Sequence, residues 1–201
     1  MNKRILVSLA LLSAVLLTLT ACGGGSSDED KITETIETAA TTSDPSNCTG
    51  LETQRFVEQN AAEKGKAAIK ACEAEAEEGK EQAESVEVSN IAVDGSKATA
   101  QAEFEGGSLG SQGIEIALVE EGGTWKLDHV EGFANYDGKA LAEQFEKQLE
   151  EEPGELGPEQ TKCIVGKIGG LSKKEAEEAF FAGTAESVIE LVHSCVKKET
   201  G

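Results

Sequence analysis

The sequence has few aromatic residues and few histidines, and these shortages narrow what the chain can be. Six Phe, one Trp and one Tyr amount to 4% of the 201 residues, so the core contains few large side chains. Only two histidines occur, and no two cysteines are spaced as Cys-x₂-Cys, so the sequence offers few zinc ligands at the usual spacing. No Gly-Lys-Ser/Thr phosphate loop, His-Glu-x-x-His helix or Asp-x-Asp-x-Asp-Gly calcium loop is present. The sequence therefore gives no support to a nucleoside triphosphatase, a zinc protease or an EF-hand protein.

A membrane-spanning run is also missing, because the one long apolar stretch is too short. It covers residues 5–19, follows Lys3 and Arg4, and ends shortly before Cys22 and three glycines, which is the layout of an export signal. A spanning helix needs roughly 20 apolar residues. The four residues Leu19-Thr20-Ala21-Cys22 match a lipobox, the processing signal of bacterial lipoproteins.

This motif predicts a signal peptide over residues 1–21 and a lipid anchor on the Cys22 sulfur. Each buried CH₂ group contributes ~0.8 kcal/mol, so two or more acyl chains hold a protein stably on a bilayer. Residues 22–29 then form a flexible tether. We expect the mature chain on the extracytoplasmic face of the bacterial cell membrane, with the lipid bilayer as its first partner. The alternative is an ordinary secretory signal cut nearby, which leaves Cys22 as a free thiol.

The mature chain is strongly acidic. Lys3 and Arg4 leave with the signal peptide, so 38 acidic residues stand against 16 basic ones, a formal charge of −22. Such a charge repels nucleic acid and anionic lipid headgroups, so we expect no nucleic-acid partner and only the acyl chains as membrane attachment. Removing residues 1–21 from 201 leaves 180, enough for one substantial domain or one domain with an appendage.

Four cysteines remain once Cys22 is assigned to lipid, and an even number in an oxidising compartment predicts two disulfides. Four cysteines allow three connectivities. We favour Cys48–Cys72 and Cys163–Cys195, because each pair lies in one half of the chain and closes a loop of about 25 to 33 residues. Such a loop is worth roughly 3–4 kcal/mol in the loop-entropy model. Zinc binding is the alternative, but the cysteine spacing is wrong for it, so we expect no metal and no cofactor.

The hydrophobic period divides the first three quarters of the chain into helices and then strands. Apolar residues recur at helical spacing over 30–42 and 61–78, where helices are predicted. Between residues 85 and 133 the period changes to 2, with turns at glycines, which predicts an antiparallel meander of about four strands. The predicted fold class is α+β, with an antiparallel sheet covered on one face by the N-terminal helices, and the resemblance given below implies that this sheet is cone-like and curved.

The last quarter of the chain returns to helical spacing. An amphipathic helix is predicted over 139–150, and three short helices follow over 155–199. The second of these begins with a capping box, Ser172-Lys173-Lys174-Glu175. We expect a small helical unit that the Cys163–Cys195 bond staples together, because about 45 residues are too few to be very stable alone.

Helices followed by a curved meander whose last hairpin reads Gly-Gly-Thr-Trp-Lys-Leu-Asp-His-Val, at 122–130, resemble the nuclear transport factor two-like cone fold. Within that fold the chain is similar to the SnoaL-like lipoproteins of Gram-positive actinobacteria. The segment Thr42–Thr49, with Cys72 on a following helix, is similar to what those secreted members carry. The resemblance covers about 30–149, and it assigns residues 30–152 to a SnoaL-like α+β domain.

The resemblance also implies where chemistry would sit. Cone-fold isomerases and cyclases place an Asp or His base inside the cavity beside an oxyanion donor, so the residues to test are Asp128, His129 and Tyr136. Alternation along the fourth strand puts His129 on the same face as Trp125 and Leu127 if no bulge intervenes. Asp128 would then point outward.

Two functions of different classes follow from these patterns. The first is a membrane-anchored, non-catalytic binding or interaction module for a small apolar ligand or an envelope protein partner. Its candidate pocket residues are Phe104, Trp125, His129, Phe133 and Tyr136. The alternative is a small-molecule isomerase or cyclase of the SnoaL-like type that uses His129 as its base. A purely structural alternative is that the aromatic side chains only fill the interior of the cone.

Overall fold

The computed structural model describes residues 27–61, 63–78, 82–107, 109–151, 156–182 and 186–196. Cys22, the predicted signal peptide and most of the predicted tether lie outside these ranges. None of the helices in the described ranges is long and apolar enough to cross a membrane.

Four helices precede the sheet: α1 Asp28–Thr41, α2 Asn47–Gly50, α3 Gln54–Asn60 and α4 Lys66–Glu78. Helix α1 begins two residues before the predicted start at residue 30, so the predicted tether ends earlier than expected. The reason is a capping box, in which the Ser27 hydroxyl accepts from the Asp30 N–H at 3.2 Å and the Asp30 carboxylate accepts from the Ser27 N–H at 2.9 Å. The Thr53 hydroxyl caps α3 by accepting from the Phe56 N–H at 3.2 Å.

The sheet contains β1 Ser85–Asp94, β2 Lys97–Glu105, β3 Gly113–Glu121 and β4 Thr124–Asn135, in the order β1-β2-β3-β4 with antiparallel neighbours. This confirms the predicted α+β fold class and its meander. Gly95, with φ +62°, makes the predicted turn between β1 and β2. The alternation on β2 also holds, because its three buried alanines face the buried residues of β3.

The concave face of the sheet packs against α1. Ile32 and Ile36 of α1 are almost fully buried, as is Trp125 of β4. Two side-chain bonds fix the contact: the Thr35 hydroxyl donates to the Trp125 carbonyl at 3.2 Å, and the Trp125 indole N–H donates to the Asp28 carboxylate at 3.3 Å. The small alanines of β2 belong to the same core, which keeps this part of it low in side-chain volume.

Irregularities in pairing curve the sheet. One register shift interrupts the β1–β2 ladder, between Ser89 and Ala92, and three interrupt the β3–β4 ladder. An extra residue on one strand bends that strand and increases its twist, so these shifts account for a cone-like rather than flat sheet. The shift between Leu127 and His129 turns His129 to the face opposite Leu127, and the next shift, between Val130 and Gly132, restores the alternation at Phe133.

The C-terminal helices are α5 Gly138–Glu151, α6 Pro158–Ile168, α7 Lys173–Phe180 and α8 Glu186–Val196. The capping box at Ser172 is present as predicted. These helices share a buried core with the sheet, to which they contribute Ile164, Ile168 and Ala176. The Phe133 N–H donates to the Glu177 carboxylate at 3.0 Å, so α7 is joined directly to β4.

Both predicted cysteine pairs lie at disulfide distance. The sulfurs of Cys48 and Cys72 are 1.94 Å apart and join α2 to α4, and those of Cys163 and Cys195 are 2.09 Å apart and join α6 to α8. The pairing within each half of the chain is thereby confirmed. The second bond links two helices of the C-terminal group, each of which contributes to the buried core.

Candidate functional site

An apolar cavity opens between the N-terminal helices and the concave face of the sheet. It consists of two adjacent chambers, an inner one of about 270 Å³ and an outer one of about 200 Å³. The walls common to both include Ala39, Ala40, Glu52, Cys72, Phe104 and Leu109. The inner chamber adds core side chains, among them Ile36, Val57, Ile114, Ile116, Leu127 and Val130. Together the chambers reach the lower end of the roughly 300–1,000 Å³ range of small-molecule sites. We call this space the Glu52 cavity.

Glu52 gives the cavity its distinctive polar group. The backbone on either side of Glu52 pairs with β4, because the Leu127 N–H donates to the Leu51 carbonyl at 2.8 Å and the Thr53 N–H donates to the Leu127 carbonyl at 2.9 Å. This short bridge, followed at once by the cap of α3, fixes the Glu52 side chain against the cavity wall. The position of the carboxyl is therefore set by backbone bonds on both sides.

The Glu52 carboxyl is held largely out of water. Burial raises the pKa of Glu52 from its ordinary value of 4.5 to about 7, because the apolar surroundings penalise the charged form. Two other carboxyls, those of Glu75 on α4 and Asp44 on the loop before α2, also line the cavity. Near neutral pH, Glu52 can therefore donate a hydrogen bond into the cavity or accept a proton.

The Cys48–Cys72 disulfide forms part of the outer wall. A carboxyl oxygen of Glu52 lies 3.6 Å from Sγ of Cys72. A disulfide sulfur carries no hydrogen, so this contact is a hydrogen bond only when the Glu52 carboxyl holds the proton and donates it. The raised pKa of Glu52 favours that protonated form below about pH 7.

The same three residues bring together atoms that often bind metals. Cys48, Glu52 and Cys72 place their ligand atoms within 4.8 Å of one another. Metal ions bind the thiolate form of cysteine, however, and here both sulfurs are consumed by the disulfide. In the oxidised protein this cluster is therefore a disulfide with a neighbouring carboxyl.

The predicted pocket residues divide between the cavity wall and the core. Phe104 lines both chambers. Trp125 and Phe133 are 1% and 2% exposed and fill the core. Tyr136 packs on Phe133 with ring centroids 4.9 Å apart, and its hydroxyl donates to the Leu171 carbonyl at 3.0 Å, so it braces the C-terminal helices.

His129 does not share a face with Trp125 and Leu127, and that prediction is wrong. Ala117 pairs with His129 while its neighbour Leu118 pairs with Leu127, so Asp128 is an extra residue on β4. Consecutive residues of β3 point to opposite faces, so His129 and Leu127 must as well. A bulge, which the alternation argument had to assume absent, is therefore present. His129 lies on the face away from the Glu52 cavity.

On that outer face His129 borders a separate groove of about 380 Å³. The Asp128 carboxylate accepts from Arg55 at 2.7 Å and lies 2.9 Å from Nδ1 of His129. Glu131 lies 3.8 Å from the other ring nitrogen, so His129 is flanked by carboxylates on both sides. This arrangement explains the position of His129 as part of a surface charge cluster.

One loop beside the cavity matches a hydrolase pattern only formally. Residues 106–110 read Gly-Gly-Ser-Leu-Gly, which fits Gly-x-Ser-x-Gly, but the loop joins two antiparallel strands. A nucleophile elbow requires a turn from a strand into a helix. Ser108 lies outside the described residues.

Sequence reasoning did not find Glu52. It is one of 38 acidic residues and lies in no motif. Its burial follows from the short bridge to Leu127, a contact between residues 75 positions apart that no local pattern reports. No protein-family model, no curated protein and no solved structure matches the chain.

Proposed function

We propose that this chain is a lipid-anchored, extracytoplasmic binding module that takes a small apolar ligand into the Glu52 cavity. The observation that carries the proposal is the buried carboxyl of Glu52, with its raised pKa, at the wall of a mainly apolar space between helices and sheet. Such a combination, an apolar enclosure with a few placed polar groups, is typical of small-molecule sites.

The chemistry of the wall defines the ligand class. A neutral Glu52 donates one hydrogen bond, so the ligand needs an acceptor such as a ketone, ester or ether oxygen. Glu75 and Asp44 line the same space, and the mature chain carries a formal charge of −22, so an anionic ligand is disfavoured. The expected ligand is neutral, mostly hydrocarbon and equipped with one acceptor.

The membrane attachment rests on the lipobox that ends at Cys22. Helix α1 begins at Asp28, six residues later, and six residues extend at most on the order of 20 Å. Acyl chains on Cys22 would therefore keep the folded body close to the bilayer, where apolar molecules are concentrated.

A fluorescent ketone tests the binding proposal. Prodan has an apolar naphthalene body and one carbonyl, and its emission reports an apolar environment. The variant Ala39→Phe fills the wall of both chambers, and Ala92→Phe adds the same bulk on the exposed outer face as a matched control. We expect the first variant to weaken prodan binding at least about tenfold and the second less than about twofold. Equal binding by both variants, with folding verified by circular dichroism, would contradict the proposal.

The isomerase or cyclase alternative keeps one observation in its favour, although not at His129. Glu52 has a pKa of about 7 and lies in the cavity, as a general base should. Prodan tests this too, because a base beside its carbonyl would exchange the neighbouring CH₂ protons with D₂O. A non-catalytic module gives exchange no faster than in buffer. Faster exchange that Glu52→Gln abolishes would favour the enzyme instead.

A further inference from the structure

The two cysteines of the Cys48–Cys72 bond differ in exposure. Cys48 is 3% exposed, whereas Cys72 is half-buried, and both border the outer chamber of the Glu52 cavity. A thiol that enters the chamber therefore meets Cys72 first. The sulfur that departs would be that of Cys48, which sits away from solvent and needs a proton source nearby.

Glu52 is placed to be that source. Its carboxyl oxygen lies 3.6 Å from Sγ of Cys72 and within 4.8 Å of Sγ of Cys48. The geometry points to the Cys48–Cys72 bond as a thiol–disulfide exchange site, with Cys72 as the sulfur attacked, Glu52 as the proton donor and a low-molecular-weight thiol as the co-reactant.

The step balances in atoms and electrons. A thiolate of the co-reactant attacks Sγ of Cys72, forms a mixed disulfide and breaks the bond to Cys48, which leaves as a thiolate. The Glu52 carboxyl protonates that thiolate and becomes a carboxylate, which regains a proton from water. A second co-reactant thiolate attacks the outer sulfur of the mixed disulfide, releasing the oxidised co-reactant and the Cys72 thiolate. Two co-reactant thiols are oxidised, and one protein disulfide is reduced.

The acidic surroundings set the pH dependence. The charged groups that line the two chambers within the described residues are Glu52, Glu75 and Asp44, all carboxyls. None of these groups stabilises a thiolate by opposite charge, so protonation by Glu52 is the available route for neutralising Cys48. When Glu52 is ionised at higher pH it repels the departing thiolate instead.

The second disulfide supplies an internal control. Among the described side chains, no acidic group completes a comparable cluster with Cys163 and Cys195. The pair otherwise resembles the first, because Cys195 is 3% exposed and Cys163 is half-buried.

The experiment measures reduction of each disulfide in the full-length chain by glutathione at pH 5.5 and 8.5. Alkylation and peptide mass spectrometry follow the two bonds separately, in the wild type, in Glu52→Gln and in Glu37→Gln, an exposed control on α1. At pH 5.5 we expect the first bond to react about three- to tenfold faster in the wild type than in Glu52→Gln. This is below the usual 10²–10⁴ of general acids, because a thiolate already leaves readily. At pH 8.5 the ratio of the wild-type rate to the Glu52→Gln rate should fall below one.

For Cys163–Cys195, the ratio of the wild-type rate to the Glu52→Gln rate should stay near one. For Cys48–Cys72, the ratio of the wild-type rate to the Glu37→Gln rate should also stay near one. A ratio near one for Cys48–Cys72 at both pH values overturns the proposal, and so does a glutathione adduct found on Cys48 rather than Cys72. If Glu52→Gln does not fold, Glu52→Asp retains the acid on a shorter chain and should lose part of the advantage at pH 5.5. No apolar ligand is present in this assay, so its outcome is independent of the binding proposal.

Discussion

Glu52 and Cys72 lie 3.6 Å apart, carboxyl oxygen to sulfur, although one follows a backbone bridge to β4 and the other belongs to α4. The contact joins three elements at one point: the sheet, α4 and, through the disulfide, α2. It places a proton-bearing group at the junction of the two cavity chambers. The pH dependence that we expect near neutral pH, both of stability and of ligand affinity, follows from the protonation of Glu52 at that junction.

The raised pKa of Glu52 makes stability depend on pH. The carboxyl holds its proton up to a pKa of about 7 when folded, against 4.5 when unfolded, so the folded state binds more protons between these values. Stability is therefore greatest below 4.5 as far as Glu52 is concerned, and it is lost as pH rises towards 7. Because the side chain is partly exposed, we expect a loss on the order of 2 kcal/mol between pH 5 and 8.

Urea unfolding of the wild type and of Glu52→Gln at pH 5 and 8 measures how much stability is lost when Glu52 ionises. Glutamine cannot ionise, so the variant should lose that much less stability than the wild type over the same interval. Equal changes in the two proteins would mean that Glu52 titrates normally. Capping carboxylates such as Asp30 and Glu175 have lowered pKa values and lose their contribution below this interval, so they do not interfere.

His129 should be dispensable for the Glu52 cavity. It lies on the opposite face of β4, so His129→Ala is expected to leave prodan affinity within about twofold of the wild type. The same variant should cost no more than about 1 kcal/mol, because its partners Asp128 and Glu131 form a partly exposed charge cluster. A tenfold loss of prodan affinity would show that the bulge does not turn His129 outward.

The sequence predicted the parts of this fold that depend on local pattern. The alternation of β2 and the glycine turn at Gly95 gave the meander, and the capping box at Ser172 marked the start of α7. The disulfide pairing could also be predicted from the sequence, because four cysteines allow only three connectivities. The bulge at Asp128 was not, since an inserted residue leaves no local signature and reverses the face of the residue that follows it, here His129.

The candidate site was predicted only in part for a related reason. Phe104 was named from its place in an alternating strand, and it does line the cavity. Glu52 acquires its character from apolar neighbours on α1, α4 and the sheet, so its burial is a property of the tertiary structure. Trp125 and Phe133 have the same strand pattern as Phe104, but α1 and the C-terminal helices cover them.

The Cys163–Cys195 bond should be a large part of the stability of the C-terminal helices. Its cysteines are 32 positions apart, and the loop-entropy model assigns such a closure about 3–4 kcal/mol. We expect the double Ser variant to lose that amount in urea unfolding, with the earliest hydrogen exchange in α6 and α8. A loss below about 1 kcal/mol would indicate that packing against α5 and β4 suffices.

The proposed lipid anchor can be checked by mass spectrometry and membrane fractionation. Mature wild-type protein should carry acyl chains on Cys22 and sediment with membranes, whereas Cys22→Ser should be released or remain unprocessed. The Cys163→Ser variant is a matched control that should stay with the membrane. Acyl-free wild-type protein with residues 1–21 removed would favour an ordinary secretory signal.

The pH dependence of prodan affinity tests the central claim most directly, because it asks whether a neutral Glu52 is the polar group that holds the ligand. Prodan has no charge in this range, so any change belongs to the protein. We predict that the wild type binds prodan about tenfold more weakly at pH 8.5 than at pH 5.5, as the carboxyl loses its proton and its hydrogen bond. Glu52→Gln should change less than about twofold. Equal wild-type affinity at both pH values would contradict the account.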